Sequence, residues 1–534
     1  MKILIIMFII MVLFSNYYKT KRSLHMLQQN LYNENNRYLK WLIKNKSQFV
    51  DFDLLTIPIS FLCIFIFQKT EVLYFSISFI IVLLLITGIE WKKNIKNDQN
   101  KKKLVITSRI KRLITTTLVL YLVPIVLLFV FENKIWIFIL IICLMTYLNQ
   151  IVIYIAKLIN TPIEKSVYLY YKSKAVKKLE SMNNLKVIGI TGSYGKTSSK
   201  NILSDILNIK YNVLPTPKNL NTYNGLIMTV NNYMDKFTDI FVAEMGAYVK
   251  GEIKGLCKLV KPKYGILTTI GTAHLESFGS EQNIIDGKFE LIESLPSDGF
   301  AVLNGDDEKQ VNYKLKNKVK IIWIGINNQD ADVVAKNIKC SGKGTSFDVV
   351  FKGDKNKYSF ETKLLGKHNV YNILAALACG KEFGIEINSL IRAVKNVKPV
   401  EHRLELKKLG NFYQIDDAYN SNPVGAKNAC EILGMMDGIK VVVTPGMIEL
   451  GLKEDEYNEI FGEQIAEVAD YVILIGKNKT KAIQKGLNNK KFDKEKIILF
   501  NDVRDAYPYL NTMGIDKEVY ALFENDLPDT FNEK

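Results

Sequence analysis

Apolar side chains are unevenly spread along this chain. Four uncharged runs, at residues 54–68, 72–89, 113–131 and 135–156, and a shorter one at 3–14, crowd the first third. A helix that crosses a bilayer needs about 20 apolar residues and no fewer than about 17, so the last three long runs qualify and 54–68 is marginal. Run 3–14 leads into Tyr17, Tyr18, Lys19 and Lys21 with no small-residue cleavage site, and it reads as a retained anchor. The pattern predicts an α-helical transmembrane region over 1–160, with four or five helices, and a helix-prone connector over 161–185. From Lys186 the pattern changes. Short β-branched runs at 186–190, 240–243 and 264–270 end in Gly, Glu or polar turns and alternate with helical stretches, which predicts a mostly parallel sheet covered on both faces. A second series at 440–444, 471–475, 496–500 and 518–523, with a helix over 454–468, predicts a smaller doubly wound, Rossmann-like domain. Pro399 breaks the pattern after a helical stretch at 388–396, so the two α/β domains are expected at 186–398 and 399–534.

Charge sharpens this division. The chain has 534 residues and a formal net charge of +17. Residues 1–180 hold 25 basic and 9 acidic side chains (+16), leaving 46 and 45 (+1) for residues 181–534. A nucleic-acid binder concentrates positive charge on a folded module; here the excess lies between apolar runs, and no nucleic-acid partner is expected. The long segments 19–46 and 92–112 are basic, so the positive-inside rule places them, and everything after Lys157, in the cytoplasm. The expectation is a multi-pass cell-membrane protein in the lipid bilayer, with its catalytic region cytoplasmic. The four later runs lack ionisable residues, so no proton or ion path is indicated. The six cysteines are scattered without a C-x-x-C pair, which excludes a disulfide scaffold and a zinc ribbon.

The strongest chemical signal is Gly189-Ile190-Thr191-Gly192-Ser193-Tyr194-Gly195-Lys196-Thr197, following a predicted strand and opening a helix. Glycines let backbone N–H groups converge on phosphate oxygens, and the helix N-terminus adds favourable partial charge. Lys196 can reach terminal phosphates, and Thr197 can ligate Mg²⁺. A nucleoside triphosphate, ATP or GTP, is implied, although Ile190 departs from the strict G-x-x-x-x-G-K-[ST] spacing. Residues 304–307, Asn-Gly-Asp-Asp, read as a turn rather than as paired catalytic acids.

The segment T-G-S-Y-G-K-T resembles the ATP loop of the Mur ligases, the ATP-dependent amino-acid and peptide ligases of peptidoglycan synthesis. Further motifs follow in the family's order over about 186–534: Thr216-Pro-Lys-Asn219-Leu-Asn221-Thr222, Val242-Ala-Glu244-Met-Gly246, Ala273-His274-Leu275-Glu276, Asp286-Gly-Lys288-Phe-Glu290 and Gly366-Lys-His368-Asn369-Val-Tyr-Asn372. His402-Arg403-Leu-Glu405 and Asp416-Asp417-Ala-Tyr419-Asn420-Ser-Asn422-Pro423 are most similar to the branch that adds D-alanyl-D-alanine to a muramoyl-tripeptide. The resemblance implies amide formation through an acyl phosphate, with Lys196, Lys288 and His274 as catalytic residues. It implies an ATP site of Gly192, Ser193, Gly195, Lys196, Thr197, Ser198, His368, Asn369, Asn372, Arg403 and Asp417. Mg²⁺ would be held by Thr197, Glu244 and His274, with Lys288 as a site of carbamoylation. Asn219, Asn221 and Thr222, and Tyr419, Asn420 and Asn422, would face the substrates: a small-molecule or lipid-linked muramoyl-peptide acceptor and an amino-acid or dipeptide nucleophile.

Two departures bear on the substrate. No uridine-nucleotide-binding domain precedes the ATP loop, and the end of the chain lacks the K-G-S segment of the D-alanyl-D-alanine-adding branch. Three alternatives follow: a membrane-anchored ligase of the poly-γ-glutamate synthase type acting on a lipid-linked or other carboxylate, a lipid II amidotransferase subunit, and a non-enzymatic membrane scaffold. D-D-A-Y-N-S-N-P argues against the first, the scattered cysteines against the second, and the intact Lys196, Thr197 and Glu244 against the third.

Overall fold

The β-branched run from Lys186 forms a strand whose apolar side chains are buried. In the computed structural model, which describes residues 2–30, 32, 36–44, 88, 92, 104–131, 135–271, 274–341, 344–418, 421–448, 450, 453–515 and 517–525, β1 (Lys186–Thr191) pairs parallel with both β3 (Ile240–Glu244) and β4 (Tyr264–Leu267). A parallel strand covered on both faces is apolar almost throughout: Val187, Ile188, Ile190 and all five residues of β3 are buried. β2 (Val213–Pro215), β5 (Phe300–Asn304), β6 (Lys320–Gly325), β7 (Val333–Ser341), β8 (Gly344–Phe351) and β9 (Lys357–Thr362) complete a nine-stranded sheet of order β2-β3-β1-β4-β5-β6-β7-β8-β9. Pairing is parallel from β2 through β7 and antiparallel from β7 to β9. The chain changes side at β1, since β3 lies on one flank and β4 on the other. Such a reversal opens a crevice at the carboxyl ends of the strands, where ligands of open α/β sheets bind. Helices Lys196–Leu207 and Lys367–Glu382 pack on each other, and Ile202, Leu203, Val370, Ile373 and Leu377 join the sheet's core.

A second, six-stranded sheet has the order β10-β11-β15-β12-β13-β14: β10 (Glu405–Leu409), β11 (Phe412–Asp417), β12 (Ile439–Thr444), β13 (Tyr471–Ile475), β14 (Ile497–Phe500) and β15 (Val519–Glu524). Only the β10–β11 pair is antiparallel. Apolar clusters cover both faces, one with Ile415, Val442, Leu474 and Leu522, the other with Val441, Ile473, Ala521 and Phe523. The alternation of side chains across each strand divides the two sets.

The chain divides into two compact units, Met1–Tyr170 and Tyr171–Lys534. In the first, helices Lys2–Gln29, Arg37–Lys44, Ser108–Val130 and Ile135–Tyr147 and the start of Asn149–Glu180 bury Leu24, Leu27, Tyr38, Ile110, Leu113, Ile153 and Ala156. The multi-pass membrane reading is corrected here. Among the described residues a single helix, Ser108–Val130, holds a stretch, Ser108–Leu127, long and apolar enough to cross a membrane. Run 135–156 is broken at Leu148, which leaves a 13-residue helix, Ile135–Tyr147; at 1.5 Å per residue it falls short of the ~30 Å hydrocarbon layer. Run 3–14 continues without a break to Gln29, through Asn16, Lys19, Ser23 and His25, all buried. Run 54–68, and run 72–89 except Gly88, lie outside the described residues. The boundary expected at 160/161 falls inside the helix Asn149–Glu180.

Candidate active site

The phosphate-loop motif sits at the carboxyl end of β1, as its sequence context predicts. Gly192 has φ +152°, and a Cβ there would collide with Thr268 Oγ1. Gly195, at φ +81°, is the N-cap of the helix Lys196–Leu207. Both are conformations that glycine adopts at low cost. The loop is fastened to the end of β4: Thr268 Oγ1 lies 2.7 Å from Tyr194 O and 3.1 Å from Thr191 O, Ser193 N donates to Thr269 O at 2.9 Å, and Ser193 Oγ donates to Gly271 O at 3.1 Å. Lys196 Nζ folds back to Gly192 O at 2.8 Å and Ser193 O at 3.2 Å. Burial lowers its pKa, Glu244 opposes the shift and Arg403 adds to it, so both groups lie within its field. Ser198 follows, half-buried, in the first helical turn. Gly192→Ala is expected to weaken ATP binding by about tenfold, or ~1.4 kcal/mol. Gly255→Ala is the control, because a Cβ there meets nothing within 4 Å; nucleotide titration of both variants checks the expectation.

Glu244 ends β3 beside this loop and is 1% exposed. Its Oε1 accepts from Asn221 Nδ2 at 3.1 Å and Thr197 Oγ1 at 3.3 Å, and its Oε2 pairs with Lys200 Nζ at 3.0 Å. A hydroxyl next to an ionised carboxylate is a hard-oxygen pair suited to Mg²⁺, which takes its remaining ligands from phosphate and water. Among the described residues no group of three or more His, Cys, Asp and Glu is placed to hold a metal, so a cation here would depend on those outside ligands.

His274 lies after β4, at φ +61°, with its ring centroid 4.4 Å from that of Tyr248. Burial, then the charges of Lys288 and Lys196, lower its pKa below the ordinary imidazole value against the pull of Glu252, and the shift favours the neutral ring. Lys288 is 2% exposed on the helix Glu281–Glu293, with Nζ 5.5 Å from the Phe278 ring centroid. Burial, then the charge of Lys196, brings its pKa down to about 7. Its neighbours in the motif are structural: Asp286 pairs with Lys250 at 2.8 Å, and Glu290 accepts from Gly251 N and Lys254 N at 2.6 and 2.9 Å. Residues 304–307 do form a turn; Asp306 accepts from Ile326 N, Asn327 N, Asn328 N and Tyr371 Oη.

The helix Lys367–Glu382 brings the third motif alongside. Asn372 donates to Asn369 Oδ1 at 3.4 Å, Asn369 donates to Leu365 O at 2.9 Å, and Asn372 Oδ1 lies 3.6 Å from where a Cβ of Gly195 would sit. Burial holds His368 neutral, with a pKa of about 4. From the second sheet, Arg403 acts electrostatically on both Lys196 and Asp417. Asp417 ends β11 in register with Glu524 at the end of β15. Burial pushes Asp417 up to about 6 against the pull of Arg403, and burial, then Asp417, pushes the fully buried Glu524 up as well.

Other expected residues are placed differently. Asn219 is exposed, while Thr222 and Asn422 spend their side-chain oxygens on helix caps, accepting from Gly225 N at 3.3 Å and its counterpart Gly425 N at 3.0 Å. Tyr419 and Asn420 lie outside the described residues. Lys200 and Glu524 escape sequence reasoning. Lys200 looks like any helix lysine, and its one signal is the four-residue spacing from Lys196, which places both on one helix face.

The Mur ligase middle-domain family matches residues 190–380. The UDP-N-acetylmuramoyl-tripeptide–D-alanyl-D-alanine ligase of Bacillus subtilis (strain 168) is 34% identical over 324 residues, covering 60% of this chain and 68% of that one. The ligase of the same name from Escherichia coli (strain K12) is 32% identical over 295 residues, covering 55% and 65%. This chain thus matches about two thirds of the length of these relatives. Among solved structures, the MurF ligase from Thermotoga maritima in complex with ADP superposes with a TM-score of 0.58 at 27% identity, covering 67% of this chain and 80% of that one.

Proposed function

The chain belongs to the Mur ligase family of ATP-dependent carbon–nitrogen ligases, and on that premise we propose that it joins D-alanyl-D-alanine to the free carboxylate of UDP-N-acetylmuramoyl-tripeptide in peptidoglycan precursor synthesis. The observation that carries this reading is the convergence of Lys196, Thr197, Glu244 and Asn221 at the carboxyl ends of β1 and β3, with Asn372 against the loop. The names of the relatives supply the substrates.

The reaction has two steps. The acceptor carboxylate takes the γ-phosphoryl group of ATP, forming an acyl phosphate and ADP. The dipeptide amine then attacks the carbonyl carbon, loses a proton, and phosphate leaves with the bonding electrons. Positioning and charge neutralisation dominate phosphoryl transfer. The loop Gly192–Gly195 would hold phosphates through its backbone N–H groups, and Lys196 would swing from its loop carbonyls to the terminal phosphates. Thr197 and Glu244 would hold Mg²⁺, which supplies charge neutralisation at the phosphates. Neutral His274 offers a further ligand. His368, Asn369 and Asn372 would surround the adenine, with Arg403 at the phosphates and Asp417 at the ribose. Asn219 and Asn221 would contact the acceptor, and Thr222 and Asn422 would act through the helix starts they cap; the dipeptide role implied for Tyr419 and Asn420 falls outside the described residues. Residues 186–398 would thus bind ATP and the acceptor, with 399–534 closing over the nucleotide and the amine.

Lys288 is suited to carbamoylation. A neutral amine adds to CO₂ with loss of one proton, and Lys288 is half neutral at about pH 7. Activity is expected to fall as the pH drops below 7 and the amine is protonated, and to rise when bicarbonate is added at fixed pH. Lys288→Arg, cationic throughout, should lose the bicarbonate response; rate measurements at pH 6 and 8 in CO₂-depleted and bicarbonate-supplemented buffer check this.

The test of the function is phosphate release from ATP and Mg²⁺ by the full chain, with UDP-N-acetylmuramoyl-tripeptide and D-alanyl-D-alanine together and with each omitted. Release that needs both, with a pentapeptide product by mass, is the expected result. No release from a folded, ATP-binding preparation would move the assignment to another carboxylate acceptor.

A further inference from the structure

Lys200 is a buried cation that the chemistry above leaves unused. It is 1% exposed, one turn beyond Lys196 on the same helix, and it makes two contacts. Nζ pairs with Glu244 Oε2 at 3.0 Å and donates to Lys218 O at 2.6 Å. Lys218 holds φ +49°, a left-handed conformation that a non-glycine residue adopts only at a cost. Lys218 lies in the segment 216–222, whose other end reaches back to the same carboxylate: Asn221 Nδ2 is 3.1 Å from Glu244 Oε1, and Asn221 O accepts from Gly246 N at 2.8 Å. Thr216 Oγ1 also accepts from Glu244 N at 3.2 Å. One ammonium group therefore ties together the phosphate-loop helix, the acid at the end of β3 and the acceptor-side segment.

We infer that Lys200 is a positioning residue of the ligase reaction, and the inference rests on the acceptor role proposed for residues 216–222. By placing its charge 3.0 Å from Oε2 of Glu244, Lys200 holds the carboxylate with Oε1 turned toward Thr197 and the phosphate site. By holding the Lys218 carbonyl, it keeps the acceptor segment in register with that site. The acceptor carboxylate and the γ-phosphate must meet in a near-attack geometry, and a displacement of about 1 Å is costly there. A lysine suits both partners, since one ammonium proton goes to the Lys218 carbonyl while the charge faces the Glu244 carboxylate.

The test compares Lys200→Met and Lys200→Arg with the wild type in the full chain, using hydrogen–deuterium exchange and steady-state kinetics. In Lys200→Met, which also strands the buried Glu244 carboxylate and lowers overall stability, exchange across 216–222 is expected to rise about tenfold more than in β1 and β5. The KM for UDP-N-acetylmuramoyl-tripeptide should rise about tenfold, and the KM for D-alanyl-D-alanine should not move. Lys200→Arg, which keeps the charge, should recover most of both effects. Unchanged exchange at 216–222 in Lys200→Met, or a rise there no larger than that throughout the nine-stranded sheet, would overturn the inference, the latter because it marks a role in core stability alone. A wild type that binds ATP but releases no phosphate with these substrates would sink the acceptor assignment, and the exchange pattern would still decide the role of Lys200.

Discussion

Lys196→Ala is expected to lower kcat by about 10³-fold, within the range found when a preorganised electrostatic donor is removed from a transition state. The reason is local. Nζ lies among the loop carbonyls of Gly192 and Ser193, at the carboxyl end of β1 where phosphates would sit. No other described lysine side chain shares those two carbonyls. The same substitution should cost little stability, about 1 kcal/mol, since the two hydrogen bonds lost, to the carbonyls of buried Gly192 and half-buried Ser193, leave the fastening of the loop to Thr268 and Thr269 in place. Phosphate release under saturating substrates, with thermal unfolding measured in parallel, checks both halves. Activity within tenfold of the wild type would remove Lys196 from the reaction; a large loss of stability would make it a structural lysine.

Glu244→Ala should be severe in both respects. Turnover is expected to fall by about 10²-fold or more, because the buried acid beside Thr197 is the carboxylate placed to share a cation with the phosphates. Folding stability should also fall by about 3–5 kcal/mol, the cost of leaving one member of a buried ion pair without its partner. Here the stranded group is Lys200, 1% exposed. The double variant Glu244→Ala, Lys200→Met should therefore be more stable than Glu244→Ala alone, since it removes the uncompensated charge. Denaturant unfolding of the two single variants and the double variant measures this coupling. Additive losses would mean that the 3.0 Å pair contributes nothing; stability restored without activity is the expected outcome.

What could be read from the chain follows the range of the interactions. The phosphate loop was legible because its chemistry is contiguous: a strand, two glycines that need positive φ, and Lys-Thr at a helix start lie within the twelve residues 186–197. Strands β1, β3, β4, β12, β13 and β15 were legible because parallel strands covered on both faces are apolar along their length; β14, at the sheet edge with Leu499 exposed, shows the same apolar run, Ile-Ile-Leu-Phe, without that burial. Strands β7 to β9 follow no such pattern; β7 is buried at Val333–Ala335 and mostly exposed beyond it, and antiparallel pairing with β8 selects its conformation. The uncharged run at 135–156 shows the limit of composition. Hydropathy does not report that the helix breaks at Leu148, and that break removes one of the expected spans.

By itself the sequence determined the class of the fold, the nucleotide loop and the family's order of motifs, because each rests on residues close together along the chain. Only the tertiary structure decided which groups share a charge. Lys200 is four residues from Lys196 in sequence, but its partners are Glu244 and the Lys218 carbonyl, from two other segments. Asp417 and Glu524 become a coupled acid pair because β11 and β15 lie side by side, more than a hundred residues apart in the chain. Burial then sets the protonation of Lys288, His274 and His368. Desolvation depends on everything packed around a group, and no local spacing encodes it.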